Sequence, residues 1–176
     1  MKKNIIVIIV VLMMFGITSS TIYSQQRDKN LAIESVVGHA LFMVISGYEE
    51  ILSRKDSLAI DDLSEMNLTL VRTQAYSDTI DRAVTVDQPL LGPIAESLLA
   101  MSEEMKSSYS ANQSSFTERD KANYSMMQQE IANVISLIYQ NYYVEGLEGK
   151  AALEIAIPQE LIDVRNRLNN QLQTTH

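Results

Sequence analysis

The stretch from Tyr124 to Ile138 reads YSMMQQEIANVISLI, and its apolar stripe stands at Tyr124, Met127, Ile131, Val134 and Ile138. Gaps of three and four residues in alternation keep these side chains on one face of a helix, since about 3.6 residues complete a turn. A half-buried strand would alternate with period two.

The same spacing recurs in both directions. Upstream it runs Leu91, Ile94, Leu98, Met101 and Met105. Before that come Leu63, Met66, Leu70, Thr73, Ser77, Ile80 and Val84, a stripe softened in its middle by Thr and Ser. The first stripe is Ile33, Val37, Leu41, Val44, Tyr48 and Ile51, and the last is Ile157, Leu161, Val164, Leu168 and Leu172. No comparable run alternates with period two, so the sequence leaves no room for sheet.

The breaks between stripes are chemically sensible. Ser53 to Ser57 is a polar interruption in which Asp56 or Ser57 can cap the next helix. Asp87 precedes Gln88 and Pro89, which ends the second helix, and Asp87 can cap the third. Pro89 and Pro93 are tolerable near a first turn. Asn112 to Ser115 separates the third helix from the fourth, and Ser115 with Glu118 has capping-box spacing. Gly146 suits a left-handed cap at the end of the fourth helix, and Lys150 to Pro158 reads as a short turn of helix.

The expected fold class is therefore all-α. Four long helices joined by short connections form an elongated antiparallel up-and-down bundle, with a shorter C-terminal helix packed alongside or at one end. The supply of 6 Gly and 3 Pro in 176 residues agrees, because a sandwich or barrel needs more turns than these can make.

The N-terminus has a different character. Lys2 and Lys3 precede an uninterrupted apolar run from Ile5 to Ile17, the n-region and h-region of an export signal. A buried core helix would show a polar face between Asn4 and Thr18, and none exists. Thr18, Ser19 and Ser20 offer small residues for cleavage, although no A-x-A is present. The stretch from Asn4 to Tyr23, about twenty residues, is long enough to cross a bilayer uncleaved. The domain reading is thus 1–24 as signal anchor or signal peptide and 25–176 as an extracytoplasmic bundle. Tethering through residues 4–23, N-terminus inside and C-terminus outside, is preferred over secretion after cleavage.

Formal net charge is -8, and without Lys2 and Lys3 the exported part carries 12 basic against 22 acidic residues, or -10. Such a surface repels phosphate backbones, so nucleic acid is not an expected partner. Cysteine is absent, which removes thiol catalysis, thiolate metal sites and disulfides together.

The search for chemistry ends without a catalytic constellation. A di-iron bundle needs Glu-x-x-His, but Val36 stands three before His39 and Gln173 three before His176. His39 and Met43 share one helix and cannot take opposite faces of a haem; a partly buried, hydrogen-bonded His39 is the plainer reading. No G-x-S-x-G or S-x-x-K occurs. Gly149 with Lys150 lacks the earlier phosphate-loop glycine, its position being Val144. The adjacent acids Glu49 and Glu50, Asp61 and Asp62, and Glu103 and Glu104 diverge on a helix and read as solvated faces. Met43, Met66, Met101, Met105, Met126 and Met127 read as core filling. No enzyme activity, cofactor or metal is expected.

Two functions remain. The first is a non-enzymatic interaction module that binds another envelope protein. The second is a sensor-like bundle holding a small polar ligand between helix ends. With no second span and no output domain expected after the bundle, signalling by such a sensor would need a partner. In an up-and-down arrangement Tyr139, Tyr142 and Tyr143 return to the level of Tyr23, which makes them the candidate ligand or membrane-interface residues. The alternative is that Tyr139 and Tyr142 simply finish a core stripe.

Overall fold

The computed structural model describes residues 31–54, 58–83, 89–145, 151–153 and 159–173. The export segment 1–24, the caps expected at Asp56 or Ser57, at Asp87 and at Gly146, and His176 lie outside the described residues. The chain divides into two units, Met1–Val36 and Val37–His176. Of the first unit only residues 31–36 are described; they are helical and exposed.

The second unit is an all-helical bundle. Helix α1 is Leu31–Leu52, most of which belongs to this unit. It is followed by α2 (Ile60–Ala83), α3 (Leu91–Ala111), α4 (Glu118–Tyr142) and α5 (Gln159–Gln173). Cross-helix contacts fix the directions. Along α1, Gly47, Glu50 and Arg54 meet Thr73, Thr69 and Glu65 of α2 in turn, so numbers climb on one helix as they fall on the other. Between α2 and α3, Asp81 meets Leu91 while Asn67 bonds Ser102, again antiparallel. Between α4 and α5, Asn123 meets Gln171 and Glu130 meets Arg167. These contacts give the up-and-down order, with α5 packed against α3 and α4.

The stripes read from sequence form the core. Val37, Leu41, Val44, Tyr48 and Ile51 of α1 are buried with Leu63, Met66, Leu70 and Ile80 of α2. All five stripe residues of α3, all five of α4, and Leu161, Val164 and Leu168 of α5 join them. Each fully buried Leu, Ile or Met contributes on the order of 1.5–3 kcal/mol, so this continuous interior is what holds the helices together. Ile33 departs from the expectation: it is 41 % exposed, as are Leu31 at 52 % and Val36 at 51 %, so burial of the first stripe starts only at Val37. Among the described residues α1 is the one helix long and apolar enough to span a membrane or serve as a signal sequence, with a mean hydropathy of 1.5. From Val37 onward its stripe is committed to the bundle core.

Three local expectations are corrected. Helix α4 begins at Glu118, and its cap is Thr117 rather than Ser115. Thr117 Oγ1 accepts the Asp120 N–H at 3.1 Å and Asp120 Oδ2 accepts the Thr117 N–H at 2.7 Å, a capping box two residues later than expected. The Ser115 hydroxyl instead donates to the Asn112 carbonyl within the turn. At its far end α4 stops at Tyr142, short of Gly146. Beyond it Tyr143–Glu145 (β1) pairs antiparallel with Ala151–Leu153 (β2), with Val144 opposite Ala152. So residues 151–153 form a strand where a turn of helix was expected, and the sheet the sequence left no room for exists as this one hairpin. Three residues are too few to display a period, which is why the pattern could not announce it.

Candidate functional site

Of the expected site residues, the structure describes the side chains of Tyr139 and Tyr142. Tyr142 is buried in the core, its hydroxyl pushed up to about 12 by burial and, second, by the nearby Asp81 carboxylate. Tyr139, one turn earlier on α4, is 52 % exposed. Tyr143 opens β1, and its side chain lies outside the described set. Tyr139 and Tyr142 therefore differ in exposure, one facing solvent and the other the core. His39, expected to be partly buried and hydrogen-bonded, is exposed and meets the Tyr76 ring edge-on at 6.1 Å between centroids.

The structure places a different set of polar groups together. Gly47 of α1 packs against Thr73 of α2, and a Cβ there would stand 2.3 Å from Thr73 Oγ1. Only a glycine permits that approach without displacing Thr73, whose hydroxyl is turned back onto the Thr69 carbonyl at 2.9 Å. Around this contact lies a solvent-open groove of about 80 Å³. Met43, Ser46, Gly47 and Glu50 of α1 and Thr69, Arg72, Thr73 and Tyr76 of α2 line it.

Its electrostatics are those of an alternating chain of charges. Arg54 bridges Glu65 and Glu50 Oε1, the latter at 3.0 Å. Thr69 Oγ1 donates to the same oxygen at 3.3 Å. Arg72 reaches Glu50 Oε2 at 3.4 Å, and its side chain is 65 % exposed. Two acids and two bases leave the seam neutral. Exposed pairs of this kind contribute at most about 1 kcal/mol each, so they register α1 against α2 more than they bind them.

Elsewhere the buried polar groups are structural. Glu130 of α4 takes a forked pair from Arg167 of α5, at 2.6 and 2.7 Å, and Arg167 holds its carboxyl below the usual range. Gln171 donates to Asn123 at 3.0 Å and Ser97 donates to Asn169 at 3.0 Å, so α5 is seated by polar clamps around its three buried apolar residues. The hydroxyls of Tyr48 and Ser77 are buried without a partner among the described residues. Among those residues there is also no cluster of three or more His, Asp or Glu able to hold a metal ion.

Sequence reasoning missed the groove because no motif marks it. Two signals were present: the softening of the second stripe at Thr73 and Ser77, and a glycine within the first helix. Their pairing depends on the register of α1 against α2, which neither stripe carries. Comparison with known proteins adds no precedent: no family model, curated protein or solved structure matches this chain.

Proposed function

We propose that this protein is a non-enzymatic helical bundle held at the outer face of a cell membrane by residues 4–23, where it acts as an interaction module for another envelope protein. The observation that supports this reading best is the exposure of three apolar side chains at the start of α1, Leu31, Ile33 and Val36. They follow in sequence the basic start at Lys2 and Lys3 and the apolar run from Ile5 to Ile17. Release after cleavage is the variant of this reading in which the same bundle acts in the medium. Pull-down of the full-length chain from its native membrane fraction tests tethering and partner together. The expected result is a full-length, membrane-retained chain whose partner is lost in a Leu31→Ser/Val36→Ser double variant. A chain found alone in the medium, shorter by about twenty residues, overturns tethering and partner alike.

A second reading, an extracytoplasmic ligand-binding bundle, is favoured by one observation, the polar groove between α1 and α2. It moves the expected ligand position from the tyrosines near the end of α4 to the middle of the first helix pair.

A further inference from the structure

We propose that the α1–α2 groove binds a small zwitterion, a molecule of the amino-acid or betaine class; this rests on the ligand-binding reading just given. The argument starts from unequal use of the two Glu50 oxygens. Oε1 is held by Arg54 at 3.0 Å and lies 3.3 Å from Thr69 Oγ1, whose one proton is shared with the Glu65 carbonyl at the same distance. Among the described residues Oε2 has only the long contact to Arg72, at 3.4 Å. Arg72 in turn spends one nitrogen, Nη2, on both Glu50 and Thr69, and among the described residues the rest of its donor fork has no hydrogen-bond acceptor. An anchored carboxylate and an underused guanidinium thus stand side by side at the rim of the groove.

A ligand with a cation and an anion a few bonds apart completes both groups at once. Its ammonium meets Glu50 Oε2, and its carboxylate meets the remaining Arg72 donors in the forked geometry that guanidinium favours. A lone anion would gain Arg72 but face Glu50, and a lone cation would gain Glu50 but face Arg54 and Arg72. The seam is neutral, so only a neutral ligand leaves it balanced. Ser46 and Tyr76 supply hydroxyls along the wall and Met43 an apolar contact, while the modest, solvent-open volume limits the ligand to a few heavy atoms. Affinity for so small a ligand is on the order of 1 mM.

The test is thermal unfolding of the full-length chain in detergent micelles, with glycine, alanine or glycine betaine at 10 mM and with acetate or methylammonium as single-charge probes. The expected result is a Tm rise of about 3 °C with at least one zwitterion and none with either single-charge probe. Glu50→Gln removes the oxygen that would meet the ammonium, and Ser46→Leu fills the groove without touching the ion pairs; each abolishes the rise if it folds. Leu68→Ala, on the exposed side of α2, keeps it. A rise that survives both Glu50→Gln and Ser46→Leu overturns the location. A rise with acetate or methylammonium equal to that with zwitterions overturns the ligand class but leaves the ligand-binding reading standing. No rise with any probe overturns both the class and the groove as a small-ligand site.

Discussion

Helix α4 starts under residues of its own first turn, whereas α3 starts under a carboxylate ten residues upstream on another helix. At α4, Thr117 and Asp120 exchange their backbone and side-chain bonds, and Asp120 also receives the Ser108 hydroxyl at 2.8 Å from the end of α3. At α3 the position before the first turn is Leu90, which has no side-chain acceptor to offer. Its work is done by Asp81 of α2, which accepts the Leu91 N–H at 3.2 Å and the Gly92 N–H at 2.7 Å. A Cβ at Gly92 would lie 2.3 Å from Asp78 Oδ1 and 3.1 Å from Asp81 Oδ2, so both carboxylates would have to shift to admit one. Both arrangements supply acceptors to free N–H groups of the kind every helix start leaves. One solution is local and survives in a fragment. The other exists only once α2 and α3 have packed, so it ties helix formation to the tertiary fold.

Breaking the two caps separates them. Asp81→Ala leaves two N–H groups of buried residues without an acceptor and is expected to cost about 2–3 kcal/mol in denaturant unfolding. Its hydrogen-exchange signature spreads across the end of α2 and the start of α3. Asp120→Ala is expected to cost about 1–2 kcal/mol, because the Thr117 hydroxyl continues to cap the Asp120-position N–H, and faster exchange stays within the first turn of α4. Equal, equally local effects would erase the distinction.

Peptides sharpen it. In a synthetic peptide of residues 113–142, Thr117→Ala lowers helix content by circular dichroism, at about 0.5–1 kcal/mol of capping energy. A peptide of residues 86–111 lacks Asp81, and its helix content is expected to fall below that of the capped peptide although the two stretches are of similar length.

The smallest effect is the dependence on pH, and its sign differs between carboxylates. Burial raises the Asp81 carboxyl above the usual range, outweighing the backbone bonds that act to lower it. The folded state therefore binds its proton more readily than the unfolded chain does. This contribution is fully present below the unfolded value and is lost as pH rises through the raised one. Glu130, lowered by Arg167, behaves oppositely: its contribution is present above the unfolded value and lost as pH falls through the lowered one. Relative to Asp81→Asn, the natural chain is expected to gain stability, by less than about 1 kcal/mol, between neutral pH and the ordinary carboxylate range. A gap between the two that is flat with pH would show that Asp81 is not strained by burial.

What could be read in advance follows the same division. The α3 and α4 stripes are buried residue for residue as spaced, because a helix needs only its own period to choose its inward face. The capping pair was sought in the right turn but two residues early. Ser115 and Glu118 match the spacing as well as Thr117 and Asp120 do, and spacing does not announce that Ser108 reaches Asp120 from α3. Tyr142 was recognisable as a candidate, yet its burial and its proximity to Asp81 depend on tertiary packing. The groove was out of reach for the same reason: Gly47 and Thr73 are 26 positions apart in the chain and become a site only through register.

The sequence by itself determined that this chain forms helices, how many of them are long, and which face of each turns inward. Those properties depend on spacing within one segment, where the relevant distances are set by the helix geometry alone. Only the tertiary structure decided that Asp81 would start α3, that Arg167 would close on Glu130, and that Gly47 would open a polar groove beside Thr73. Each depends on the axial register of one helix against another, and that register is fixed by how side chains from both surfaces interlock.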